Sequence, residues 1–119
     1  MQDSEILAQF KEKTASVYFM SESDYPFETI NWGTRDITDD LLRGMPGEEP
    51  GSAVETHSFE DFYQKYAGRE NYGPVLDALK NNLTDLRVYR VGRINIGVYL
   101  VGRSEEGSWL GLSTRSVET

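Results

Sequence analysis

The chain predicts an α+β fold in which a mainly antiparallel sheet is covered by helices on one or both faces. Three observations carry that prediction. Apolar residues recur at helical spacing through much of the first two thirds of the chain, while β-branched and aromatic runs fill the last third. Those last runs are "LRVYRVG" at 86–92, "INIGVYLVG" at 94–102 and "SWLGLSTRSVE" at 108–118, separated only by "GR" and "SEEG" turns. Links this short join antiparallel neighbours, because a parallel crossover needs about a dozen residues or more.

Taken in order, "DSEILAQFKEKTAS" at 3–16 reads as a helix capped by Asp3 or Ser4, with Ile6, Leu7 and Phe10 on one stripe. A short apolar run, "VYFM" at 17–20, leads into the turn-rich "SESDYP". "FETINW" at 27–32 alternates as a strand does and ends at Gly33. Residues 35–53 hold a short helical piece, Thr38 to Arg43, followed by a loop with five Gly and Pro breakers, expected to be the least ordered stretch. Ser58 with Asp61 three residues on resembles a capping box for "SFEDFYQKYAG", whose Phe59, Phe62, Tyr63 and Tyr66 share helical spacing before Gly68 stops it. "GPVLDALKNNL" at 73–83 is the next helix, with Pro74 in its first turn and Val75, Leu76, Leu79 and Leu83 on one face. In the final region Ile94, Ile96, Val98 and Leu100 alternate with Asn95, Gly97, Tyr99 and Val101, the period of a half-buried strand.

At 119 residues, with 38% hydrophobic side chains, the chain is expected to form one domain over 1–119 with an adequate core. Cysteine is absent, which excludes disulfides, thiol catalysis and thiolate zinc sites. The N-terminus carries acids where a signal peptide needs positive charge, and no run reaches the ~18 apolar residues of a membrane span. A soluble, cytoplasmic protein is expected, with no membrane partner. Twelve Lys and Arg against twenty Asp and Glu give a net charge of −8. Nucleic acid is therefore not expected as a partner, since phosphate binding needs cations that release counterions. A surface this acidic serves solubility, and it also suits a basic protein partner.

Catalytic patterns are missing. His57 is the single histidine, with neither a cysteine to activate nor a second histidine to share a metal. Neither a P-loop nor Gly-x-Gly-x-x-Gly occurs. Glu22, Asp24, Glu28, Asp39 and Asp40 are close in sequence, but they match neither a calcium-loop spacing nor a recognisable acid–base pair. No enzyme activity, no cofactor and no metal site of its own are expected. One oxygen cluster remains, at Thr119, where a hydroxyl sits beside a free α-carboxylate. Such a group could imitate part of a phosphodiester toward Mg²⁺, although a threonine can also simply come last.

Several segments together resemble the nuclease A inhibitor family: "FMSESDYPFE" at 19–28, "KNNL" at 80–83, "VYRVG" at 88–92, "VYLVG" at 98–102 and "GLSTRSVET" at 111–119. The resemblance implies a three-layer α-β-α sandwich and a small acidic inhibitor of a Mg-dependent, sugar-nonspecific DNA/RNA endonuclease of the ββα-metal class. It implies that Thr119 reaches into the nuclease and coordinates the partner's Mg²⁺, and that Glu22 engages basic groups of the nuclease site. A monomer is expected for the free chain. One segment departs from the family: "YAGRENYG" at 66–73 replaces a tryptophan-bearing contact loop, so that contact is not carried over, and Tyr72 becomes a candidate for a packing role. The competing expectation is an acidic α+β interaction module of the same fold with a different protein partner.

Overall fold

A computed structural model describes residues 1–69 and 71–118. The chain begins with α1 (Asp3–Thr14), followed by β1 (Tyr18–Met20), β2 (Asp24–Pro26) and β3 (Glu28–Gly33). Next come α2 (Asp39–Arg43), β4 (Val54–Ser58), α3 (Phe59–Tyr66) and α4 (Tyr72–Asn82). Three long strands complete it: β5 (Thr84–Val91), β6 (Asn95–Arg103) and β7 (Trp109–Val117).

The main sheet has the order β3-β7-β6-β5-β4, and every neighbouring pair is antiparallel. Because side chains alternate across a strand, the sheet divides the apolar residues into two cores. Val88, Ile96, Val98, Leu100, Leu110 and Leu112 face α1, α3 and α4, where they meet Ile6, Phe10, Phe59, Tyr66 and Leu76. On the opposite face Ile30, Trp32, Tyr89, Val91, Tyr99, Val101 and Trp109 meet Leu42 of α2, with Ile37, Leu41 and Met45 packed beside them. Helices on both faces of one antiparallel sheet make an α+β sandwich of three layers, as expected.

The helix ends follow their sequence signals with one shift. α1 is capped at Gln2 rather than at Asp3 or Ser4, and Glu5 accepts a hydrogen bond from the Gln2 N–H at 3.1 Å. Thr38 caps α2 by accepting from Leu41 N–H at 3.1 Å, and Ser58 caps α3 by accepting from Asp61 N–H at 3.1 Å. On α4, Val75, Leu76 and Leu79 are buried, and so is Leu83 just beyond its end.

Three features differ from the sequence expectation. β6 is not half-buried: it lies at the centre of the sheet with helices on either side, so Tyr99 (3% exposed) is as enclosed as Val98 (1%). Ile94 lies outside the strand, in the turn before it, and is 60% exposed. β4 was hidden because "ETHS" has no apolar alternation; it is an edge strand held by its ladder to β5, Val54 opposite Val91 and His57 opposite Val88. The third is β2, within "SESDYP", which folds back on β1 to form a separate two-stranded hairpin.

Candidate functional site

The β1–β2 hairpin pairs Tyr18 with Pro26, Phe19 with Tyr25 and Met20 with Asp24, leaving Ser21, Glu22 and Ser23 at its tip. That tip docks on the end of β7 through both polar groups of one peptide residue. The Val117 N–H donates to Ser21 Oγ at 2.9 Å, and the Glu22 N–H donates to the Val117 carbonyl at 3.3 Å. Ser21 Oγ in turn donates to the Ser23 carbonyl at 2.8 Å, which closes the tip on itself. Further down the hairpin, Thr114 Oγ1 donates to the Pro26 carbonyl at 3.1 Å. Here β7 extends past its pairing with β3, which ends at Glu28 opposite Ser113, and the hairpin lies along the free edge.

The hairpin is oriented from below by aromatic packing. Phe19 is 3% exposed and stacks against Tyr72 with ring centroids 5.8 Å apart. The Tyr72 hydroxyl accepts from the Met20 N–H at 2.8 Å and donates to the Tyr18 carbonyl at 3.2 Å. Tyr72 thus ties the N-terminus of α4 to the strand that carries the tip, the packing role open to it in the sequence.

On the other side of β7 the turn between β5 and β6 holds the end of the strand. Asn95 is opposite Val117, and the Glu118 N–H donates to the Ile94 carbonyl at 2.8 Å. Glu118 Oε2 accepts from Ser116 Oγ at 2.7 Å and from the Arg90 guanidinium at 2.7 Å. The Ser116 hydroxyl, then Arg90, hold the Glu118 carboxyl below its ordinary value of 4.5, against a desolvation that works the other way. Three segments therefore lie side by side at one end of the sheet: residues 20–23, 116–118 and 93–95.

Of the two residues expected to bind a partner, Glu22 is at this end, exposed at the hairpin tip. Thr119 lies outside the described residues, directly after Glu118. The other acids do not converge with Glu22 into a ligand set: among the described residues no group of three or more His, Asp or Glu could hold a metal ion. Asp39 and Asp40 start α2, and His57 on β4 contacts Glu55 Oε1 at 3.0 Å. Sequence reasoning missed Ser21, Arg90 and Glu118, which fix the tip and the strand end. The Ser116-x-Glu118 spacing puts both side chains on one face of an extended strand and was the local signal available.

Strand β7 is also secured from the opposite face. The loop after α2 inserts Glu48, whose side chain is 2% exposed, against Arg115. The pair is bidentate: Arg115 donates to Glu48 Oε2 at 3.1 Å and to Oε1 at 2.9 Å, and Arg115 Nε donates to Asn95 Oδ1 at 2.7 Å. The Tyr99 hydroxyl donates to the same carboxylate. Burial, then this hydrogen bond, push the Tyr99 phenol well above its ordinary value, and the carboxylate raises Arg115. The loop expected to be least ordered is thus pinned by its one buried charge. Beside it, Trp32, Met45, Pro46 and Arg115 help to line an open cavity of about 380 Å³.

Among the described residues no helix is long and apolar enough to cross a membrane. No curated protein sequence matches the chain. A family signature does, described as nuclease A inhibitor-like protein, and it matches residues 4–119. With nearly its whole length covered, the chain belongs to the nuclease A inhibitor-like protein family.

Proposed function

We propose that residues 1–119 act as a single inhibitory domain against a Mg-dependent, sugar-nonspecific DNA/RNA endonuclease of the ββα-metal class. Thr119 offers its α-carboxylate and hydroxyl to the Mg²⁺ held by the nuclease, standing in for substrate phosphate. Glu22 meets the basic groups that would otherwise bind the nucleic-acid backbone. The free protein is a monomer of the cytoplasm, where it restrains the nuclease.

One observation supports this reading above the others: the tip carrying Glu22 is hydrogen-bonded through its own backbone to Val117, two residues before Thr119. On this reading Glu22 and the strand that leads to Thr119 share one support, as inhibition of a single phosphate-binding cleft requires. Hard oxygen ligands suit Mg²⁺, which usually completes its shell with groups from a substrate. The α-amino group is distant in the fold, since Met1 pairs with Glu105 in the turn between β6 and β7, at the opposite end of those strands.

That asymmetry provides the test. A tag fused after Thr119 converts the α-carboxylate to an amide and should abolish or severely weaken inhibition of a purified ββα-metal nuclease. The same tag before Met1 should leave inhibition at parent strength. Full inhibition by the C-terminally tagged protein would remove Thr119 from the mechanism. Failure of the untagged protein against a panel of such nucleases would favour the acidic interaction module with another partner.

A further inference from the structure

Exposed apolar side chains are unevenly distributed on this molecule. Among the described residues the large ones are Met1, Tyr18, Met20 and Ile94. Met20 (64% exposed) and Tyr18 (51%) stand on the outer face of β1, on either side of the buried Phe19. Ile94 (60%) stands in the turn between β5 and β6. Three of the four thus lie on the two segments that flank the end of β7. Single exposed hydrophobics are ordinary on any surface. Two such segments on either side of one strand end are a different matter.

Both are held at the backbone. Met20 N–H is bound by the Tyr72 hydroxyl at 2.8 Å, and the Ile94 carbonyl accepts from Glu118 N–H at 2.8 Å. The turn carrying Ile94 also depends on Gly92, with φ +104°, where a Cβ would sit 2.8 Å from the Asn95 carbonyl oxygen. At 60% exposed, Ile94 contributes little to either core. Exposed apolar groups on a fixed backbone beside exposed acids have the anatomy of an interface anchor, because little backbone freedom remains to be lost on binding.

We infer that Met20 and Ile94 form an apolar clamp on either side of the end of β7 and dock on the rim of the nuclease's metal-bearing cleft. This inference rests on the proposed inhibitory function and adds to it the surface that excludes water around the charged contacts. The occupant follows from charge: Glu22 and Asp24 are exposed on the hairpin beside Met20, on a chain of net charge −8, so the partner is a basic cleft with apolar walls. Desolvating the rim strengthens every charge pair inside it.

The experiment titrates Met20→Ala, Ile94→Ala and the double variant against a ββα-metal nuclease that the parent protein inhibits. Glu106→Ala, in the turn at the far end of the sheet, serves as the control. Each single alanine variant should weaken inhibition by about tenfold or more, the level at which truncation marks an anchor. The thermal midpoint should stay near that of the parent, and Ile94→Leu should restore most of the inhibition. If both alanine variants inhibit as the parent does, the clamp is wrong while the inhibitory function stands. If the parent protein inhibits no nuclease in the panel, the function and the clamp fall together.

Discussion

At the scale of the residue, Gly97 shows how little space separates the fold from a clash. It lies in β6 beneath the buried Glu48, and a methyl group there would overlap the Glu48 carboxylate and come within 2.9 Å of the Tyr99 ring. The glycine is present for the space it leaves, not for backbone freedom. Gly97→Ala should destabilise the protein by about 1–3 kcal/mol, the range for overpacking a filled interior. Urea titration should register this as a lower midpoint with an unchanged slope. Unaltered stability would mean that Glu48 leaves its site at no cost and that its pair with Arg115 is dispensable. In either case the tip and terminus lie on other residues, so correctly folded variant should keep its inhibitory strength.

At the scale of the element, the hairpin of β1 and β2 depends on contacts from outside itself. Two strands of three residues are marginal alone. Tyr72 supplies both a ring against Phe19 and a hydroxyl shared between Met20 and Tyr18. Tyr72→Phe keeps the ring and strands the Met20 N–H, which should cost about 1 kcal/mol. Hydrogen exchange at Met20 should quicken markedly while protection in β6 falls only with global stability. Unchanged protection at Met20 would show that the hydroxyl does not hold the hairpin.

The same element marks where sequence reasoning stops. α1, α3 and α4 were legible because their apolar stripes and caps are local signals, and β5 to β7 because β-branched runs and short turns are too. β4 was not, since "ETHS" becomes a strand only by pairing with β5. Nor could periodicity reveal that Ser21 binds Val117 or that Glu48 binds Arg115, because those partners meet only after the sheet forms. Glu22 was singled out by family resemblance rather than by any pattern of its neighbours. Its place beside the end of β7 became visible only in three dimensions.

At the scale of the whole molecule, charge should govern how fast a complex forms more than how long it lasts. A chain of net charge −8 approaching a basic cleft is steered from beyond contact distance. Salt screens that attraction over roughly 8–10 Å at physiological strength. Raising ionic strength should therefore slow association with the nuclease severalfold or more and change dissociation much less. Stopped-flow binding at several salt concentrations separates the two rates. An association rate independent of salt would argue against a basic cleft as the partner surface.

The position of β7 between β6 and β3 bears on how the protein is made in a cell. β3 has β7 as its partner in the sheet, with Glu28 opposite Ser113, so its backbone waits for a strand synthesised much later. At roughly 5–20 residues per second, translation leaves that edge open for on the order of ten seconds. Throughout the interval Ile30 and Trp32 have no ladder to hold them against the second core, and the hairpin tip has no Val117 to bind. On the proposed mechanism a nascent chain cannot restrain a nuclease while it is being translated. Its interval of greatest exposure to aggregation and its interval without the proposed inhibitory surface are the same, and both close when β7 slots into the sheet.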